Sequence, residues 1–195
     1  MKKYFPALQY ANVPNTITTV GLIFGIAACY FLVAGNLQKT LLCLFFSASM
    51  DLVDGFFAEK LKQQTQFGQQ VDSLVDFFIC CIMPIGLVFA FVGKYPILVV
   101  PLAFYVVCGL WRLAYYNITE SKGYFVGLPV PAAMLLVTIS IWLVTAYQLP
   151  IWIITVVLFL AGLLMVSCVK LQKYGRWQKV LWVVVLFFLA VVVTS

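Results

Sequence analysis

The chain has 195 residues, of which 65% are hydrophobic and only 9% are charged, with a mean hydropathy of +1.09. Soluble domains are about half apolar and about a quarter charged, so this composition excludes a soluble globular protein. Histidine is absent, which removes it as a general base or a metal ligand. Twelve Lys and Arg residues against six acids give a net charge of +6. Because ionisable groups are so few, their positions indicate where the chemistry lies.

The apolar sequence predicts an all-α, polytopic membrane bundle of about seven transmembrane helices, each needing about 20 residues to cross the hydrocarbon core. Helices satisfy their own backbone polar groups in lipid, and the alternating pattern of a β-barrel is missing. The predicted spans are residues 16–35, 38–58, 71–93, 96–117, 127–148, 150–169 and 179–195. We expect a single membrane domain over residues 1–195, in which residues 1–14 form an interfacial segment at the headgroup level.

The cations of the loops predict the orientation in the membrane. Nine of them fall at the N-terminus and on the loops of one side, against two on the other side. The nine are Lys2, Lys3, Lys60, Lys62, Lys122, Lys170, Lys173, Arg176 and Lys179, and the two are Lys39 and Lys94. Because basic loops stay in the cytoplasm, the N-terminus is predicted to be cytoplasmic. No basic run is extended enough to follow nucleic-acid phosphates, so anionic membrane lipid is the expected charged partner.

All four aspartates fall within 26 residues, on two predicted spans that a polar stretch connects on the cytoplasmic side. Asp51 and Asp54 lie on the second span, and Asp72 and Asp76 lie on the third. At about 100° per residue, the members of each pair share one helix face. A charge inside a span costs about 2.5–3.5 kcal/mol on insertion scales, so four acids together indicate a functional site.

Small residues accompany the aspartates. Gly55 and Ala58 share the face of the first pair, and Gly68 shares the face of the second pair. Residues without bulk allow a ligand to approach the backbone, and close packing of the two helices is the alternative explanation.

Four carboxylates that converge at low dielectric repel one another, and a divalent cation relieves that repulsion. Oxygen ligands without histidine or clustered thiolates favour Mg²⁺, Mn²⁺ or Ca²⁺ over zinc or iron. Four carboxylates on two facing helices suffice for two ions, and paired metals serve phosphoryl transfer. The sequence therefore predicts a two-ion site near the cytoplasmic surface.

The aspartates and the small residues form the pattern D-x₂-D-G-x₂-A-x₉-G-x₃-D-x₃-D. This pattern resembles the signature of the CDP-alcohol phosphotransferase family, whose members are membrane enzymes that transfer a phosphoryl-lipid group from a CDP-linked donor to an alcohol. The resemblance implies a six-helix catalytic core over residues 15–170, a C-terminal loop with an extra helix over 171–195, and a homodimer.

The resemblance also implies roles for the matching positions. The ligands of two Mg²⁺ or Mn²⁺ ions would be Asp51, Asp54, Asp72 and Asp76, and Asp76 would also be the general base. The implied pocket for the CDP-lipid contains Asp51, Asp54, Gly55, Ala58 and Gly68. One position departs from the family pattern, because Glu59 stands where the family has an arginine.

Three further segments resemble the serine-specific members of this family. Residues 13–18 are similar to a P-N-x-x-T entry into the first helix, which implies nucleotide or phosphate contacts for Asn15 and Thr18; helix capping is the alternative. Residues 112–117 resemble R-L-A-x-x-N, and residues 124–133 resemble Y-F-x-G-L-P-x-P-A-A. The candidates for binding the acceptor or a phosphate are Arg112, Asn117 and Lys122. For Arg112, snorkelling to the headgroups is the alternative.

The predicted reaction transfers a phosphatidyl group from CDP-diacylglycerol to L-serine and releases CMP and phosphatidylserine. The small polar run that many serine-specific members have after the last aspartate is replaced by apolar residues 77–83. Glycerol 3-phosphate, inositol phosphate or another small alcohol is therefore an alternative acceptor. A divalent-cation transporter is an alternative of another class, since acids within spans also mark ion pathways. A membrane scaffold that lost its activity through the change at Glu59 is a third hypothesis.

Overall fold

Six continuous helices and one two-stranded ribbon form the part of the chain that the computed structural model describes, namely Ala7, residues 10–119 and residues 124–172. The helices are α1 (Val13–Val33), α2 (Leu37–Lys60), α3 (Gln66–Val92), α4 (Pro96–Ile118), α5 (Val130–Tyr147) and α6 (Trp152–Met165). The ribbon pairs β1 (Tyr124–Val126) with β2 (Lys170–Gln172) in an antiparallel arrangement.

Four of these helices, α1, α3, α4 and α5, are long and apolar enough to cross a membrane. Helix α6 is apolar but has only 14 residues, whereas α2 has 24 residues and includes two of the aspartates. The chain is thus an integral membrane protein with an all-α polytopic fold, as predicted. The predicted span 179–195 and most of the interfacial segment lie outside the described residues.

Local capping explains where several helices begin and end. The Asn12 side chain accepts a hydrogen bond from the backbone N–H of Asn15 at 2.9 Å, so α1 begins inside the predicted interfacial segment. The Thr65 hydroxyl accepts from the N–H of Gly68 at 3.0 Å, and α3 therefore begins five residues before the predicted 71. At the other end of the chain, α6 stops at Met165 because the following residues turn towards β2.

Helices α1 and α2 pack closely along their length. A Cβ added to Gly21 would lie 3.3 Å from the Cβ of Met50, and the Ser47 hydroxyl donates to the Gly21 carbonyl at 2.7 Å. This contact holds the first half of α1 beside the second half of α2. Two polar residues of α1, Asn15 and Thr18, are thereby brought to the level of the aspartates on α2.

Short connections between the helices place the starts of α1, α3 and α5 at one end of the bundle, together with the ends of α2, α4 and α6. The ribbon lies at this end and joins the segment after α4 to the segment after α6. Gly127, with φ +76°, allows the turn in which its N–H donates to the Val169 carbonyl at 2.8 Å. The four aspartates belong to the halves of α2 and α3 nearest this end.

Candidate active site

Three carboxylates converge between α2 and α3. Asp51, Asp54 and Asp72 each offer one oxygen, and the three oxygens lie within 4.8 Å of one another. The α-helical spacing of the aspartates brings them to facing sides of antiparallel neighbours, as the sequence predicts. An all-oxygen donor set at this separation fits a hard divalent cation such as Mg²⁺ or Mn²⁺.

Asp76 lies one turn deeper along α3. It lines the same small cavity, of about 10 Å³, as the other three aspartates. A cavity of this volume has room for about one water molecule. The Asp76 carboxylate also contacts the thiol of Cys80, whose Sγ lies 3.8 Å from Oδ1. The structure therefore separates three closely grouped carboxylates from a fourth, which borders the same cavity one turn further along α3.

Thr18 connects α1 to this acidic cluster. Its hydroxyl hydrogen-bonds to the carboxylate of Asp54, which is only 5% exposed. Thr18 is therefore not a helix cap, because that position is taken by Asn12. A donor from a neighbouring helix fixes the rotamer of a carboxylate, as residues behind a metal ligand commonly do.

A polar groove of about 420 Å³ opens beside the carboxylates. This volume lies within the range of about 300–1,000 Å³ that is typical of small-molecule sites. The predicted pocket residues that line it are Asn15, Thr18, Asp54, Gly55, Ala58 and Gly68, whereas Asp51 lines the smaller cavity. The groove is also lined by four glutamines that the sequence analysis does not single out, Gln63, Gln64, Gln66 and Gln69. The sequence did offer a signal, because glutamines are dense across the α2–α3 connection and the first turns of α3.

The two glycines of the pattern differ in the space around them. A Cβ on Gly55 would meet no atom within 4 Å, so this residue presents bare backbone to the groove. A Cβ on Gly68 would lie 2.6 Å from the Asn15 Oδ1. Asn15 is itself fixed, because its amide donates to the Tyr10 carbonyl at 2.8 Å. Of the two explanations for the small residues, access for a ligand therefore fits Gly55, whereas close packing fits Gly68.

Arg112 of α4 is buried, with 8% of its surface exposed. Its guanidinium interacts electrostatically with Asp76 and Asp51, and its carbon lies 5.2 Å from the centre of the Tyr116 ring. This environment is that of a cation buried near the acidic cluster, and it disagrees with snorkelling to the headgroups.

The other candidate residues for the acceptor are only partly described. The side-chain oxygen of Asn117 accepts a hydrogen bond at 2.9 Å from the hydroxyl of Ser73, the residue after Asp72. Lys122 and the side chain of Glu59 lie outside what the structure describes.

The comparisons with known proteins agree with this geometry. A family model described as CDP-alcohol phosphatidyltransferase matches residues 11–171. A CDP-diacylglycerol–serine O-phosphatidyltransferase of Methanocaldococcus jannaschii is 28% identical over 170 residues, which are 87% of this chain and 78% of that protein. A protein of the same name from Bacillus subtilis is 33% identical over 133 residues, 66% of this chain and 75% of that protein. A CDP-diacylglycerol–glycerol-3-phosphate 3-phosphatidyltransferase of Aquifex aeolicus is 42% identical over 65 residues, 33% of this chain and 36% of that protein.

The range matched by the family model includes all six described helices, the acidic cluster and the groove. The similarity to proteins named as phosphatidyltransferases favours an enzyme over a transporter or a scaffold. The chain therefore belongs to the CDP-alcohol phosphatidyltransferase family and is an integral membrane transferase of that class.

Proposed function

We propose that the enzyme transfers the phosphatidyl group of CDP-diacylglycerol to the hydroxyl of L-serine, with release of CMP and phosphatidylserine. The observation that carries this proposal is the cluster of three carboxylate oxygens within 4.8 Å, which stands beside a polar groove of about 420 Å³. The names of the relatives from M. jannaschii and B. subtilis support serine as the acceptor.

In this proposal the four aspartates hold two Mg²⁺ or Mn²⁺ ions. The close set of Asp51, Asp54 and Asp72 supplies most of the oxygen ligands, and Asp76 adds a carboxylate from the deeper side of the cavity. When bound, such ions neutralise phosphate oxygens and stabilise a phosphoryl leaving group. The hydroxyl of Thr18 keeps Asp54 in a single orientation for this task.

The groove suits the nucleotide part of the donor. Its amide side chains offer both donors and acceptors, which a pyrimidine base and a ribose require. The bare backbone at Gly55 lets the pyrophosphate approach the carboxylates, and Asn15 contributes a polar group at the same wall. The acyl chains of the donor remain in the lipid that surrounds the helices.

Asp76 is proposed as the general base, and Arg112 as the residue that binds the acceptor. Asp76 takes the proton of the serine hydroxyl, whose oxygen then attacks the phosphorus on the lipid side. A new phosphorus–oxygen bond forms, the bond to the CMP oxygen breaks, and CMP leaves. The guanidinium of Arg112 can bind the serine carboxylate through two hydrogen bonds while the acceptor lies next to Asp76. Asn117 and Lys122 are proposed as further acceptor contacts.

We further propose that the N-terminus and the active site face the cytoplasm and that the enzyme is a homodimer. The described cations at the end of the bundle that contains the site are Lys60, Lys62 and Lys170, whereas Lys39 and Lys94 belong to the opposite end. Basic residues at the cytoplasmic side and the entry of serine from the cytosol support this orientation. The dimer and the division into a core at 15–170 with flanking segments follow from family resemblance.

Incubation of the purified enzyme with CDP-diacylglycerol and a panel of alcohols tests the proposed acceptor. L-serine, glycerol 3-phosphate and inositol phosphate are offered separately with Mg²⁺ or Mn²⁺, and the lipid product is identified by mass spectrometry. We expect phosphatidylserine and CMP in equal amounts and only with a divalent ion. Formation of phosphatidylglycerol phosphate instead would move the acceptor to glycerol 3-phosphate. Metal flux into proteoliposomes without CMP release would contradict the enzymatic proposal.

A pair of glycine substitutions tests the groove. Gly55→Ala places a methyl group in open space within a helix, so the melting temperature is expected to stay constant or to rise slightly, because alanine favours a helix more than glycine does. The KM for CDP-diacylglycerol should rise about tenfold, which equals about 1.4 kcal/mol of binding. Gly68→Ala pushes against Asn15 and should lower the melting temperature as well, because overpacking costs about 1–3 kcal/mol. Equal effects of both variants on stability and KM would show that Gly55 does not face the donor.

A further inference from the structure

Helix α3 is irregular directly after Asp76. Pro84 stands four residues after Cys80, and proline has no N–H, so the Cys80 carbonyl lacks the donor that a regular α-helix would provide. The helix takes a π-helical turn over Phe77–Ile82, where the N–H of Met83 donates to the Phe78 carbonyl. Such π turns inside α-helices are frequent at functional sites.

A side chain from the next helix supplies the missing hydrogen bond. The hydroxyl of Tyr105 on α4 donates to the Cys80 carbonyl at 2.8 Å, and Tyr105 is fully buried. A buried carbonyl without a hydrogen-bond donor is destabilising. The bond from Tyr105 therefore favours the π turn of α3 over conformations in which the Cys80 carbonyl has no donor. The tyrosine hydroxyl thus stabilises the π turn from outside the helix.

The same face of α4 is in close contact with α3 towards the acidic site. Gly109 and Arg112 follow Tyr105 at positions i+4 and i+7, on one side of the helix. A Cβ on Gly109 would lie 2.5 Å from the Sγ of Cys81, so the two backbones are tightly apposed there. One turn further along, Arg112 interacts with Asp76. Tyr105 and Gly109 therefore set the register that brings the guanidinium to this carboxylate.

We propose that Tyr105 is a positioning residue of the transferase. Its hydrogen bond to the Cys80 carbonyl holds the π turn that follows Asp76, and this turn orients Asp76 towards the cavity and towards Arg112. The Cys80 thiol, which contacts the Asp76 carboxylate, belongs to the same fixed turn. The inference rests on the proposed function, in which Asp76 is the general base.

The variant Tyr105→Phe removes the hydroxyl and keeps the ring. We expect kcat to fall about tenfold, as for a loss of about 1.4 kcal/mol in the transition state. The KM for CDP-diacylglycerol should stay within about twofold of the wild-type value, because the nucleotide groove is not involved. Tyr30→Phe, at a residue that is 71% exposed, is the matched control and should leave both constants unchanged.

A double-variant cycle with Pro84→Ala separates positioning from simple packing. Position 84 then has an N–H that can bond to the Cys80 carbonyl in a regular α-turn, so Pro84→Ala should itself lower kcat by weakening the π turn and should leave the Tyr105 hydroxyl little to contribute. Within this background, Tyr105→Phe should cost no more than about twofold in kcat, which is the coupling expected of residues that share a partner. An equal cost in both backgrounds would overturn the proposal. A lower melting temperature with an unchanged kcat would also overturn it, because Tyr105 would then only stabilise the fold.

A second pair of variants applies if Tyr105→Phe yields no folded protein. Gly109→Ala should lower kcat by displacing α4 from α3, and the added change Cys81→Ala should restore it by removing the sulfur that the new methyl group meets. Failure of the second change to restore kcat would contradict the proposed register.

If the wild-type enzyme releases no CMP, the proposed function itself fails. Melting temperatures of the Tyr105–Pro84 cycle then still report whether the hydrogen bond exists.

Discussion

Replacement of Asp76 by asparagine is expected to lower the rate of phosphatidyl transfer by about three orders of magnitude. Asparagine preserves the volume of the side chain but cannot accept the proton of the acceptor hydroxyl, and general-base catalysis contributes about 10²–10⁴-fold. Binding of the CDP moiety should persist, because Asp51, Asp54 and Asp72 form their close cluster without Asp76. CMP release with purified enzyme and defined lipids measures the first effect, and equilibrium binding of CDP measures the second.

These two measurements distinguish the roles open to Asp76. Loss of transfer with retained CDP binding supports a base. Loss of both would indicate that Asp76 is chiefly a ligand of an ion that holds the nucleotide, in agreement with its place on the shared cavity. Full transfer activity in the variant would remove Asp76 from the mechanism, and the proton would then have to pass to another acceptor, such as one of the three remaining aspartates.

The convergence of the acidic residues was predictable from the sequence because it depends on local geometry. The helical period fixes that Asp51 and Asp54 share a face, and the short polar connection makes α2 and α3 antiparallel neighbours. Together these two facts bring Asp72 to the same place, and the structure agrees. The all-α membrane fold follows in the same way from composition and from the length of the apolar segments.

Contacts between helices were not predictable, because they depend on rotation and register that an apolar sequence leaves open. Helix α4 is apolar on nearly every side, so nothing in the sequence distinguishes Tyr105 as the donor to a carbonyl on α3. For Arg112 the sequence allowed both snorkelling and a role in the site, and only its burial beside Asp76 favours the second. The end of α6 depends on pairing between β1 and β2, which are far apart in the sequence.

Exchange of Asp72 for asparagine is expected to abolish transfer and metal-dependent binding of CDP together. Asp72 is the one member of the close cluster that α3 supplies, so its loss leaves only the two carboxylates of α2. Stabilisation by a metal is worth several kcal/mol, and its loss should lower the rate by more than about 10³-fold. Titration with Mn²⁺, followed by electron paramagnetic resonance in the presence of CDP, reports ion binding independently of turnover.

Ser73→Ala is the matched control for this variant, because it changes the neighbouring residue of α3 and removes only the hydrogen bond to Asn117. It should bind Mn²⁺ as tightly as the wild-type enzyme, so reduced binding in both variants would indicate a general disturbance of α3. Undiminished Mn²⁺ binding in Asp72→Asn would contradict Asp72 as a metal ligand. In that case the carboxylates of α2, alone or together with Asp76, would hold the ion without Asp72.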